Sequence, residues 1–250
     1  MSDFDFMSNL PDEFKFKKKN ELDHSKFRDF QREHAKRISR FEKDTQRESR
    51  IANLRLWDKI TTERWRGSSL KKLDNQDIAE SISEDFKTGI HSFFLIGAGN
   101  SEKTAAGHAI FRRGIGSGKI NPTRVKFLPE YDILQWANSG FAGKDKLNKL
   151  MEYPFEGIIL DSVDSSDYNE REITALEGLI EKCYSHSIPL VVTSTVTPGE
   201  WGSNFSQSIF YKLKELFASR IYKFESEDIV NGDPNWDTEI ETDEFSKYDG

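Results

Sequence analysis

Three stretches of this chain are almost unbroken apolar runs: Phe93–Ile96, Gly157–Leu160 and Pro189–Thr193. Runs that short and continuous suit strands covered on both faces, as in a parallel sheet. Between them the apolar positions recur every three or four residues, the spacing of a helix with one buried face. The pattern predicts strands over 91–96, 125–128, 157–160, 190–194 and 221–224. It predicts helices over 75–87, 103–113, 130–138, 144–151, 169–185 and 206–218. Ile78, Ile82 and Phe86 mark the inner face of the first helix, and Ile173, Leu176, Leu179 and Ile180 that of helix 169–185. Strands alternating with helices at this spacing form βα units around a parallel sheet. No internal repeat interrupts the series.

Ahead of this region the pattern changes. Phe27, Phe30, His34, Ile38 and Phe41 lie on one stripe of an otherwise charged helix, which continues through Ile51, Leu54 and Leu56 to about Trp57. No glycine or proline occurs from Asn20 to Arg66. A long helix with so narrow a stripe is marginal alone and needs a partner face: the main domain, another copy, or another protein. Residues 1–20 mix Phe4, Phe6, Phe14 and Phe16 with charge, a composition suited to anchoring on a partner or packing back on the domain. Trp65, Gly67, Leu70 and Leu73 read as a connecting segment. The expected organisation is a helical partner-binding region over 1–57, an α/β domain over 58–224 and an acidic tail over 225–250.

Composition narrows the classes. Of 250 residues, 36% are hydrophobic and 32% charged, and no apolar run approaches the length that crosses a bilayer. The acidic start MSDFDFMSNL has no apolar core of a signal peptide, so a cytoplasmic location is expected. The single cysteine, Cys183, forms no internal disulfide and reads as a small buried hydrophobe. The histidines have no metal-site spacing, so no structural zinc is expected. The net charge of -7 is uneven, with Lys and Arg concentrated in 15–72 and Asp and Glu in 225–250. The overall sign therefore says little about partners.

The candidate chemistry lies at the strand ends. Gly97-Ala98-Gly99-Asn100-Ser101-Glu102-Lys103-Thr104 follows the first buried strand and opens a helix. The phosphate-loop pattern, G-x-x-x-x-G-K-[ST], is met at Gly97, Lys103 and Thr104, with Glu102 in place of the second glycine. In this setting loop amides and the helix N-terminus surround an anion, Lys103 reaches the outer phosphates of ATP or ADP, and the Thr104 hydroxyl binds Mg2+. Glu102 sets a carboxylate beside that anion; it is expected to strain the loop or partly to occupy the anion site. Asp161 ends the strand Gly157–Leu160, where ligands sit in open parallel sheets, and is the magnesium-side carboxylate. The next residue, Ser162, is a poor base for activating water. Asp164 is the substitute if the chain turns back. Thr195, after the following strand, is placed to bond the attacking water or the terminal phosphate. Arg220, between a helix and a short strand, is a candidate to reach a neighbouring subunit's nucleotide.

Taken together, these blocks resemble the bacterial and phage replicative helicase loaders, and related transposon-associated ATPases, of the AAA+ superfamily. The resemblance spans about residues 57–224. FFLIGAGNSEKTAAGHAI is similar to the family's phosphate loop and its helix, and RVKFLPEYDILQWANSG to its second strand and helix. FEGIILDSVD is similar to its acidic strand, LIEKCYSHSIPLVVTSTVTPGEW to its polar sensor region, and Arg220 in SRIYKF to its trans-acting arginine. The resemblance implies a P-loop NTPase of AAA+ type: an α/β three-layer sandwich with a parallel sheet and an N-terminal helical extension. It also implies a DNA replication role in a bacterial cell or phage-infected host. The N-terminal region would grip the replicative helicase, and the core would assemble with its own copies and engage single-stranded DNA through a patch of Arg112, Arg113, Lys119, Arg124 and Lys126. The acidic tail would repel DNA or cover a basic surface in its absence. The departures are Glu102, Ser162, Thr195 where asparagine is usual, Cys183 where arginine is frequent, and no distal arginine in NGDPNWDTEI. They point to impaired hydrolysis. Two alternatives stay open: an active DNA-stimulated ATPase using Asp164, and a non-enzymatic interaction protein that kept the fold.

Overall fold

The computed structural model describes residues 24–99, 102–164 and 167–224. The four N-terminal phenylalanines and the acidic segment 225–250 lie outside the described residues. The chain divides into two compact units, residues 1–49 and 50–250. What is described of the first is the leading part of helix α1 (His24–Ile60). Phe30 and His34 stack there at 5.8 Å, and Ile38 and Phe41 are exposed. No helix among the described residues is long and apolar enough to cross a membrane.

The second unit is built on five strands: β1 (Phe93–Gly97), β2 (Val125–Pro129), β3 (Gly157–Val163), β4 (Leu190–Ser194) and β5 (Ile221–Phe224). Their order is β2-β3-β4-β1-β5, and every neighbouring pair is parallel. The continuous apolar runs are explained by the two cores they separate. Phe94, Ile158, Leu160 and Val192 face one side, and Phe93, Leu95, Ile159 and Val191 the other. On the second side lie the end of α1, α2 (Gln76–Thr88) and α3 (Lys103–Gly116). On the first lie α4 (Glu130–Asn138), α5 (Gly140–Glu152), α6 (Glu170–Ser185), α7 (Pro198–Gly202) and α8 (Gln207–Phe217). This is a three-layer α/β sandwich.

Local chemistry sets the helix starts. Asn75 caps α2 through the amide of Ile78, and Asn169 and Glu172 close a capping box on α6. Helix α7, which the periodicity misses because it is one turn long, has its own capping box from Thr197 and Glu200 and a proline in its first turn. It buries Trp201 against Phe94 and Phe205. Helix α5 begins at Gly140, earlier than its apolar spacing indicates. Helix α1 runs past Trp57 to Ile60, so Leu54 and Trp57 belong to the second unit's core, not to a separate N-terminal region.

His108 sits inside that core, 3% exposed, ringed by Trp57, Trp65 and Phe127 at 5.2–6.1 Å. Neither ring nitrogen has a hydrogen-bond partner. Burial lowers its pKa to about 4, against the upward pull of Asp161. The unfolded chain therefore binds a proton that the folded one refuses between pH 6.5 and about 4. Stability from this group is complete above pH 6.5 and declines below it by about 3 kcal/mol in all. Denaturant unfolding followed across that window should show the decline, and His108→Leu should flatten it.

Candidate functional site

Three carboxyl-terminal strand ends meet the start of α3 at one edge of the sheet. β1 delivers the loop that begins at Gly97. This glycine is required by close packing, since a Cβ there would meet the carbonyl oxygen of Phe224 on β5 at 2.6 Å. A Cβ on Gly99 would meet nothing within 4 Å. Asn100 and Ser101, the middle of the expected phosphate loop, lie outside the described residues.

Lys103 is the first residue of α3 and is 7% exposed. Its ammonium folds back on the loop and donates to the carbonyls of Gly97 and Ala98, both at 2.7 Å. Burial lowers its pKa below the usual lysine value, and Asp164 and Asp161 act to raise it. The cation therefore stands in the field of Asp161 in β3 and Asp164 just beyond its end.

Asp161 is the centre of the site. Its Oδ1 accepts from the hydroxyls of Thr104 on α3 and Thr193 on β4, each at 2.7 Å. The Thr193 hydroxyl in turn accepts from the amide of Ser162 at 2.9 Å. Sequence reasoning missed Thr193. Its signal was a hydroxyl in an otherwise apolar run, directed inward beside the acidic strand.

Strand β3 does not stop at Leu160 as its apolar run suggests. Its register with β4 shifts between Leu160 and Val163, and Ser162 takes a φ of 60°. Asp164 follows that kink directly. Its Oδ1 accepts from Thr195 Oγ1 at 3.0 Å, and its amide donates to Glu130 Oε2 at 3.4 Å. Glu130, the buried first residue of α4, was not foreseen. Its other oxygen accepts from the Tyr168 hydroxyl, and that hydroxyl accepts from Trp201 Nε1 at 3.1 Å. A buried chain of polar groups thus fixes the segment carrying Asp164.

Glu102 departs from expectation. Its backbone has φ -72° and ψ 8°, which any residue adopts, so the loop is not strained there. Its carboxylate turns outward and accepts from the amides of Asp74 at 2.7 Å and Asn75 at 3.5 Å, just before α2. It does not fold into the anion position. The Glu102 side chain does not cap the first turn of α3.

Arg220 is at the other end of the sheet. Its carbonyl pairs with the Phe94 amide, and its guanidinium donates to the carbonyls of Ser92 and Leu216, both at 3.2 Å. It stands about 13 Å below the loop, four residues of strand. The structure does not bring it together with Lys103, Thr104 and Asp161. The basic patch is also altered: Arg112 is paired in two-pronged fashion with Asp58, Arg113 donates to Ser83, and Arg124 is paired with Glu156. Lys119 and Lys126 are exposed. Cys183 is fully buried, and burial pushes its thiol up to about 12, as a core residue requires.

The residues present fit a magnesium nucleotide. Thr104 and Asp161 supply hard oxygen donors side by side, and the start of α3 offers amides beside a buried ammonium. Among the described residues no group of three or more His, Cys, Asp or Glu is placed to hold a metal alone. Magnesium here would take its remaining ligands from phosphate oxygens and water, as is usual for that ion.

No protein-family model matches the chain, and no curated protein sequence matches it. Solved structures do. A DNA replication initiation factor superposes with a TM-score of 0.51 at 16% identity, over 64% of this chain and 50% of that one. DnaI superposes at 0.51 with 13% identity, over 67% of this chain and 93% of that one. The DnaC helicase loader superposes at 0.51 with 12% identity, over 66% of this chain and all of that one. The chain thus spans about half the length of the initiation factor and nearly all of the two shorter structures. These likenesses show the fold alone: a three-layer α/β sandwich on a parallel sheet, of the kind seen in those replication-protein structures.

Thr193→Val keeps the shape of the side chain and removes both its hydrogen bonds. It should destabilise the fold by about 1–3 kcal/mol, because the Ser162 amide loses its partner and the Asp161 carboxylate keeps only Thr104 on that oxygen. Urea unfolding of the variant beside Thr195→Val, whose bond is exposed and should matter far less, checks this.

Proposed function

We propose that this chain is a loader-type adaptor of DNA replication, binding magnesium ATP or ADP at the phosphate loop and a replicative helicase through its N-terminal region, with slow or lost hydrolysis. The observation that carries the nucleotide part is the Thr104–Asp161–Thr193 cluster facing the buried Lys103. The fold shared with DnaC and DnaI structures supports the loader part. Bound magnesium ATP would present its phosphate oxygens to these groups and supply the anhydride bond to be broken. Lys103 would neutralise phosphate charge from within a poorly solvated position. Thr104 and Asp161 would orient the metal side. The loop amides and the start of α3 would hold the phosphates.

The groups that act on water are weaker. Ser162 stands where a carboxylate is usual, and its hydroxyl bonds Asp161 Oδ2 at 3.3 Å. Asp164 is the remaining acidic candidate, held by Thr195 and Glu130 as described, and it is the basis of the second reading, an active DNA-stimulated ATPase. A non-enzymatic role is the outcome if no nucleotide binds. Single-stranded DNA and further copies of the chain are candidate partners on the same reading.

Titration with fluorescent ATP and magnesium tests the site without reference to a partner. The parent chain should bind, Lys103→Ala should weaken binding at least tenfold, and Glu102→Gly should tighten it a few-fold by removing a nearby like charge. Equal binding by the parent and Lys103→Ala overturns the nucleotide site. Phosphate release should be slow, and a rate stimulated by single-stranded DNA and lost in Asp164→Asn would favour the active ATPase.

Helicase binding is tested by co-purification with the cognate replicative helicase. Removal of residues 1–49 should abolish capture while leaving ATP affinity intact. A cut at residue 57 would confuse the result, because it also deletes Leu54 and Trp57 from the core of the α/β unit. Capture unaffected by loss of residues 1–49 would refute the N-terminal assignment.

A further inference from the structure

The strand β2 forms one edge of the sheet, and beside it lies a cleft of about 450 Å³ that the nucleotide reading does not use. Its floor is apolar and its rim basic: Trp136, Tyr153 and Phe155 meet Lys126, Lys146 and Lys149. The Tyr153 and Phe155 rings meet tilted, 4.9 Å apart, and the Tyr153 hydroxyl donates to the carbonyl of Thr123 at 3.1 Å. The Lys146 ammonium lies 5.7 Å from the Trp136 ring. Lys149 pairs with Asp145, an exposed contact that competes weakly with other anions. Such a cleft accepts an apolar side chain whose neighbours are carboxylates.

We infer that this cleft is the docking site of the chain's own residues 225–250. That segment contains ten Asp and Glu against one Lys, and it interleaves them with Trp236, Ile240, Phe245 and Tyr248. Its chemistry is the complement of the cleft: aromatic and aliphatic side chains for the floor, carboxylates for the lysine rim. The reach is sufficient. The segment leaves the sheet at β5, the edge opposite β2, four interstrand steps or about 19 Å away. From Phe224 the chain can extend about 40 Å to Trp236 and about 70 Å to Phe245, enough to travel around one face. Tethering favours it over a free ligand of equal affinity, since a segment joined by a short flexible connection acts at roughly millimolar effective concentration. Docking there also covers the flank of an edge strand, which otherwise invites association.

Single-stranded nucleic acid is the competing occupant for lysines beside aromatics. It favours a continuous basic track. Here the neighbouring Arg124 is already paired with Glu156, so positive charge is confined to the three rim lysines.

Zero-length carbodiimide coupling of the purified full chain, with peptide mapping by mass spectrometry, tests the proposal independently of any nucleotide or helicase. Carboxylates within residues 233–249 should join Lys126, Lys146 or Lys149 inside monomeric chains at low salt. Yields should fall severalfold at 1 M salt. A Trp236→Ser/Phe245→Ser double variant keeps every carboxylate and lysine, and its links to these three lysines should drop at least tenfold with unchanged circular dichroism. Links unchanged in that variant would reduce the contact to unspecific charge attraction and overturn the docking site. Absent links, links to lysines elsewhere, or links found only in covalent dimers would overturn it too, the last assigning the cleft to a second copy. A photoreactive oligonucleotide that labels Lys146 or Lys149 while the tail carboxylates form no links would assign it to nucleic acid.

Discussion

A carboxylate that is 9% exposed at the end of a central strand must be given partners, and the way Asp161 obtains them organises the rest of the site. One oxygen takes the hydroxyls of Thr104 and Thr193 together. Those two bonds tie three elements, α3, β3 and β4, at the one edge where their ends converge. Because Thr193 also accepts from the Ser162 amide, the same contact sets the kink that ends the regular part of β3. Shift Asp161 and the start of α3 loses its tie to β3 and β4, and the hydroxyl that holds the kink at Ser162 loses its own acceptor.

The three central strands were legible because they are buried on both faces and written as nearly uninterrupted apolar runs, whereas the edge strands β2 and β5, which carry Lys126 and Lys223, were read from their place in the alternation. The six longer helices of the α/β unit were legible for a similar reason, each needing an apolar stripe toward one of two cores. What escaped was determined by hydrogen bonds and not by burial. Helix α7 is a single turn defined by Thr197, Glu200 and Pro198, too short to show a period. The extension of β3 depends on a side chain thirty-one residues away, Thr193, reaching the Ser162 amide. Neither feature leaves a periodic trace.

The candidate site divides along the same line. The placement of Gly97, Lys103, Thr104 and Asp161 at strand ends and a helix start could be read from spacing, because a strand–loop–helix motif is local. Glu102 was misjudged because the loop was considered alone. In the fold, the segment ahead of α2 passes beside it and presents two amides, so the carboxylate turns toward Asp74 and Asn75. Glu130, Tyr168 and Trp201 come from three separated segments and have no motif in common. Only the buried hydrogen bonds among them reveal that they support Asp164.

The proposed function separates two tasks that P-loop enzymes usually combine. The groups proposed to hold phosphate and metal are each fixed in place: Lys103 on the loop carbonyls, Thr104 and Thr193 on Asp161. The groups suited to polarising water are Ser162, whose kinked backbone carries a hydroxyl in place of a carboxylate, and Asp164, whose Oδ1 is occupied by Thr195. An electrostatic cradle lowers the energy of bound and reacting phosphate alike, whereas acceleration requires a group that acts more strongly in the transition state. On the reading proposed here, a chain that keeps the cradle and weakens the water-directed groups would use a nucleotide mainly to stabilise one conformation. The coupling is physical: α3 carries Thr104 at its start and, one turn on, His108 within the aromatic cluster of Trp57 and Trp65. A change at the phosphate edge would therefore be transmitted to the packing of the segment that leads out to the N-terminal unit.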